Sequence, residues 1–188
     1  MSGGHALHES GNKKIAMMIA VLALCLAISE TLGKSAQTTT IQQNIEASNL
    51  WAFFQAKTIR ATTLRTAAEA METTSPAIAD PELRKAAAVR VDGWRKTAAR
   101  YDSEPETQEG RQELMARAKK AEGKRDTAAA AHHHCEIASA LFQIAIVLAS
   151  AVIITGIAAL GWGAIALGVL GIGFTGIGLF APQAMHLF

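Results

Sequence analysis

The densest group of chemistry-bearing side chains is the run His132-His133-His134-Cys135-Glu136. Imidazole, thiolate and carboxylate are the usual zinc donors, and a structural site closes around four of them. On a helix, consecutive side chains point about 100° apart, so the three histidines cannot converge on one ion; only His132 and Glu136, one turn apart, share a face. Further ligands would have to come from another helix or subunit, and apart from His5 and His8 the sequence has no second Cys/His cluster. The run therefore reads as polar residues where a helix enters lipid, with no metal assigned. Gly171-Ile172-Gly173-Phe174-Thr175-Gly176 matches the letters of a dinucleotide-binding turn. Its context does not fit: no strand precedes it, no soluble helix follows, and no acidic residue lies about 20 positions on. With no phosphate loop, nucleophile elbow or H-E-x-x-H pair either, no catalytic residue and no cofactor are expected, and the chain is read as a non-enzyme. The last candidate is Glu30, the one acidic group close to a hydrocarbon core. A carboxylate at depth would mark an ion path or a buried pair, but coming at the end of the apolar run that opens at Ile15 it can reach the headgroups, the placement favoured here.

The elements that position these residues follow from the distribution of charge. No Asp, Glu, Lys or Arg occurs from Ile137 to Phe188, and Gly33 to Glu136 holds almost all of them. An uncharged run of about 50 residues exceeds the ~20 that cross a bilayer core, so it must be split. Gly156, Gly161 and Gly163 can turn, and Trp162 suits an interface; the split is placed between Thr155 and Gly163, giving spans of about 137–154 and 162–180. Near the N-terminus, Lys13 and Lys14 precede the apolar run Ile15 to Ile28. A signal peptide would need small residues before its cleavage site, and a cut after Ala36 puts Lys34 at the −3 position. A lipoprotein reading of Cys25 fails because Leu24 precedes it. A retained transmembrane helix over 13–32 is expected, after a disordered tail over 1–12.

Between the spans, residues 33–136 read as an extramembrane helical domain. Trp51, Phe54, Thr58, Ala61, Leu64, Ala68 and Met71 recur at three- and four-residue steps, an amphipathic stripe. It stops at Thr73-Thr74-Ser75-Pro76 and restarts after Asp80-Pro81, where Asp80 can cap a helix and Pro81 suits its first position. A second stripe through Leu83, Ala87, Val91, Trp94, Ala98 and Tyr101 breaks near Ser103 to Glu106, and a third helix is expected from about Glu106 to Glu136. Folding this hairpin about Ala77 to Ala79 places Phe54 near Tyr101 and Ala61 near Trp94, so Trp51, Phe54, Ala61, Trp94 and Tyr101 are the expected stalk-packing residues.

The stretch Asn44-Ile45-Glu46-Ala47-Ser48-Asn49-Leu50-Trp51-Ala52-Phe53-Phe54-Gln55-Ala56-Lys57-Thr58-Ile59-Arg60 resembles the central motif of a bacterial family of unknown function. His132-His133-His134 and the run Leu141 to Ser150 are similar to the same family. Its members are small three-pass membrane proteins with an N-terminal apolar helix, a charged helical middle and a C-terminal apolar hairpin, here 137–188. The resemblance implies an architecture and no activity.

Gly161, Ala164, Gly168, Gly171, Thr175 and Gly178 step by three and four, a heptad seam of small residues that lets helix backbones approach closely in lipid. It can serve packing within the protomer or between copies. The whole reads as an all-α, three-pass protein of the bacterial inner membrane with its stalk expected in the periplasm, partnered by the lipid bilayer, by further copies of itself and by an unidentified protein on the stalk. Its function is read as that of a self-associating scaffold or interaction module; the alternative is a pore or ion-channel component. The interleaved charges, net +2, contain no basic block that would bind nucleic acid.

Overall fold

The computed structural model describes residues 3–184, with side chains from Lys13 onward. It is all-α: α1 Gly3–Thr74, a single 3₁₀ turn Ser75–Ala77, α2 Pro81–Asp102, α3 Arg111–Thr155 and α4 Ala158–Phe180, with no strand among the described residues. The helix α1 begins inside the stretch expected to be a tail; Met1 and Ser2 lie outside the described residues.

Three of these helices are long and apolar enough to cross a membrane: α1, α3 and α4. The helix α3 carries its hydrogen-bond ladder from the charged segment into the apolar one without a break, so the separate third helix ending at Glu136 and the span starting at Ile137 are one element. The following turn is also tighter than expected. Gly156 adopts φ +72° and donates its N–H to the Val152 carbonyl at 2.8 Å, the left-handed cap that ends a helix and that glycine adopts without a Cβ clash. Helix α4 therefore starts at Ala158 and not at Trp162.

Helix boundaries elsewhere follow local chemistry. Asp80 Oδ1 accepts from the Glu82 amide at 2.8 Å and from that of Leu83 at 3.4 Å, with Pro81 at the first helical position, which satisfies donors that a helix start leaves open. The threonines of α1, β-branched and poor helix formers, donate their hydroxyls back to carbonyls one turn earlier, as Thr38, Thr39 and Thr40 do to Lys34, Ser35 and Ala36. Each hydroxyl is thereby satisfied without the run leaving the helix.

The chain divides into two compact units, one formed by Met1–Ile41 with Lys124–Phe188 and the other by Gln42–Gly123. In the first, Leu22, Ala138, Phe142, Ala145, Ala149 and Ala164 form the core. In the second, Ala47, Leu50, Leu114, Ala118 and Ala121 pack with Trp51, Phe53 and Phe54, and α2 buries Ala87, Val91 and Ala98.

Along the α1–α2 hairpin, Arg65 pairs with Asp102 and Glu72 with Arg95, so seven residues forward on one arm match seven residues back on the other. The Lys57 ammonium lies between the rings of Phe53 and Tyr101, which brings Tyr101 to the Phe53–Lys57 turn of α1.

Candidate functional site

In the unit containing the apolar helices, Gly33 and Ser29 let α1 and α3 approach closely. A β-carbon at Gly33 would stand 3.2 Å from Cys135 Cβ. The buried Ser29 hydroxyl donates to the Cys135 carbonyl at 3.0 Å, and Thr175 Oγ1 lies 3.4 Å from Ser29 Oγ while donating to the Gly171 carbonyl at 3.0 Å. One serine thus ties α1 to α3 by a hydrogen bond and touches the Thr175 hydroxyl of α4.

Beside this clasp α1 and α3 diverge around a cleft of about 430 Å³, lined by Glu30, Lys34, Gln37, His132, Glu136 and Gln143 among others. His132 Nδ1 lies 3.1 Å from the Gly33 carbonyl, and its Nε2 is 3.4 Å from Glu136 Oε1. A carbonyl only accepts, so Nδ1 carries a proton and Nε2 faces the carboxylate. Glu30 and Lys34 are exposed and, though one turn apart, form no ion pair with each other. The cleft offers two carboxylates, an ammonium, an imidazole and amide groups, all open to the surroundings of the helices.

The rest of the His run behaves differently. His134 is buried, with Nε2 donating to the Pro182 carbonyl at 3.1 Å and Nδ1 without a partner. His133 is exposed, so the run fans around the helix. Among the described residues no group of three or more His, Cys, Asp or Glu is arranged to hold a metal.

The small-residue seam lies on the buried face of α4, where Ala164, Gly168, Gly171 and Gly178 are all buried. A β-carbon at Gly168 would stand 2.8 Å from Leu22 Cδ2, at Gly171 2.8 Å from the Phe142 ring, at Gly178 3.2 Å from the Ala131 carbonyl and at Gly161 3.7 Å from Val152. The seam is filled by α1 and α3 of the same chain.

In the unit Gln42–Gly123, Trp51 and Phe54 meet edge to face at 5.4 Å, and the Trp51 indole N–H donates to Glu122 at 2.9 Å. Ala61 is fully buried, while Trp94 and Tyr101 are half-buried. The residue that the periodicity did not single out is Lys57. Its ammonium is buried between the rings of Phe53, at 5.4 Å, and Tyr101, at 5.0 Å, with Glu104 at 3.5 Å. Nearby, Arg111 donates to Asp102 at 2.8 Å and stacks 5.2 Å from Phe54. Glu113 accepts from Ser103 Oγ at 2.8 Å and from the Glu104 amide at 3.2 Å. These contacts fix the segment between α2 and α3. Gly110 fits there because a β-carbon would run into the Glu113 carboxylate and the Glu104 amide.

Fold and composition together define an all-helical protein with three helices long and apolar enough to cross a membrane. The chain belongs to the family described as domain of unknown function DUF4337, whose model matches residues 11–181. No curated protein and no solved structure matches it.

Proposed function

We propose that this chain is a three-pass protein of the bacterial inner membrane that works as a non-enzymatic, self-associating scaffold, presenting the unit Gln42–Gly123 as its interaction module. Membrane placement is supported by two polar levels on the apolar helices. Lys14 and Trp162 line one groove, an anchor pair suited to an interface, and from Lys14 to Lys34 α1 rises about 30 Å, the thickness of a hydrocarbon core. Lys13 and Lys14 favour a cytoplasmic N-terminus, which puts the unit Gln42–Gly123 in the periplasm.

The observation that carries the scaffold reading is an apolar stripe on the outer face of α1. Ile45 and Ile59 are more than half exposed, and Ala52 between them is exposed as well. Spaced seven residues apart, the three fall on one face of the helix and leave an exposed apolar strip along it. A second copy of the chain offers the same stripe and can cover it in an isologous contact. The glycine seam is filled within the protomer, so association falls to this face. The rival reading, a pore, gains no support from the bundle interior, which Leu22, Phe142, Ala145 and Ala164 fill.

The test is the mass of the purified chain in detergent by light scattering, for wild type and for Ile45→Glu/Ile59→Glu. Association in the wild type that falls to a monomer in the variant supports the scaffold. A wild-type monomer at all accessible concentrations, or ion flux in liposomes, overturns it.

A further inference from the structure

We infer that the cleft between α1 and α3 is a binding site for the headgroup of an aminophospholipid, a phosphate ester carrying a primary ammonium. The inference rests on the membrane placement proposed above and goes beyond the scaffold reading.

Four observations converge on this chemistry. First, the cleft lies where both helices change from apolar to charged sequence. Its deepest member, Gln143, is two turns inside the apolar run of α3, and its outermost, Gln37, is one turn past Lys34 on α1. A groove spanning that boundary runs from the level of lipid ester groups to that of the headgroups. Second, the lining carries both signs. Glu30 and Glu136 can accept from an ammonium, Lys34 can hold a phosphate, and Ser139 and Gln143 below them can bond ester oxygens. Neither a purely anionic nor a purely cationic ligand would satisfy that set.

Third, the imidazole leaves a position for a donor. The Nδ1 proton of His132 is engaged by the Gly33 carbonyl. In the neutral ring, Nε2 therefore presents a lone pair to the Glu136 carboxylate across 3.4 Å, and two facing acceptors are joined by a donor supplied from outside. A primary ammonium, with its three N–H groups, can bridge Nε2 and Glu136, with Glu30 lining the same cleft; a trimethylated ammonium cannot. Fourth, Glu30 and Lys34 are not neutralised by each other although the helix places them within reach. Their charges face a cleft large enough for a headgroup.

The test uses the full-length chain in detergent and native mass spectrometry with phosphatidylethanolamine, phosphatidylcholine and phosphatidylglycerol of identical acyl chains at equal concentration. Soluble phosphoethanolamine is added in a separate arm. The expected result is about five-fold or greater retention of phosphatidylethanolamine over phosphatidylcholine, which shares its phosphate but lacks N–H donors. Glu30→Gln/Glu136→Gln should reduce that ratio to near one, and Lys34→Gln should lower both lipids together. All three positions are exposed, and an unchanged helical circular dichroism spectrum checks that the variants fold. Equal retention of the three lipids, preference for phosphatidylglycerol, or a preference that survives the double substitution overturns the proposal. Displacement of the lipid by an equal concentration of phosphoethanolamine overturns the assignment to a lipid. The lipid ratio is read on the protein whatever its oligomeric state, so failure here is distinct from failure of the scaffold reading.

Discussion

Gly171 of α4 lies against Phe142 of α3 so closely that a β-carbon at position 171 would stand 2.8 Å from the ring. Phe142 is itself buried at the centre of the core formed by the apolar helices, so the ring cannot step aside without disturbing its neighbours.

Gly171→Ala is therefore expected to lower the stability of the detergent-solubilised chain by about 1–3 kcal/mol, the usual cost of overpacking a tight core. Adding Phe142→Leu to that substitution should recover part of the loss, because the two positions share one space. Thermal melting followed by circular dichroism measures both. A Gly171→Ala variant as stable as wild type would show that α4 packs on another face.

Lys57 and Glu104 should respond unequally to removal. With Glu104→Gln the nearly buried ammonium of Lys57 loses its counter-ion and keeps only the rings of Phe53 and Tyr101. With Lys57→Met the carboxylate of Glu104 is more exposed and retains Arg100 at 3.5 Å, and the thioether fills the space between the rings. A buried charge without a partner costs about 3–5 kcal/mol, whereas an apolar replacement of similar volume is often tolerated. Glu104→Gln is thus expected to lower the melting temperature more than Lys57→Met; the reverse order would place the Lys57 ammonium in water.

The segment between α2 and α3 should carry a pH dependence through Glu113. The hydrogen bond from the Ser103 hydroxyl, with smaller help from backbone amides, holds this carboxyl below its ordinary value of 4.5. A depressed folded pKa means that the stabilisation is present above the unfolded value and is lost as pH falls through the folded one. Carbon-detected NMR of the labelled Glu113 carboxyl should show titration below 4.5, and Ser103→Ala should move it upward. No change on removing the hydroxyl would contradict the hydrogen bond.

The legible parts of this fold are those with a local cause. The absence of charge beyond Glu136 marked the apolar hairpin, and Asp80-Pro81 marked the start of α2. The ion pairs along the α1–α2 hairpin, Arg65–Asp102 and Glu72–Arg95, were not legible, because an apolar stripe says nothing about which exposed charges meet across it. Continuity of α3 was hidden because a change of composition looks like a boundary, although the backbone ladder is indifferent to it. Glu30 and the His132–Glu136 pair were each noticed from sequence, but not that Lys34, Gln37 and Gln143 join them in one cleft, since the two halves lie about a hundred residues apart. Burial of Lys57 was equally hidden, since a lysine on an amphipathic stripe reads as a solvated edge.

The proposed three crossings would put the unit Gln42–Gly123 on one side of the membrane and the turn at Gly156 on the other. This placement is tested in a Cys25→Ala/Cys135→Ala background carrying either Gln112→Cys or Ala158→Cys, both exposed positions, treated with a membrane-impermeant thiol reagent in intact spheroplasts and again after lysis. The expected result is that Gln112→Cys labels before lysis and Ala158→Cys only after it. Labelling of both variants from the same side would contradict it.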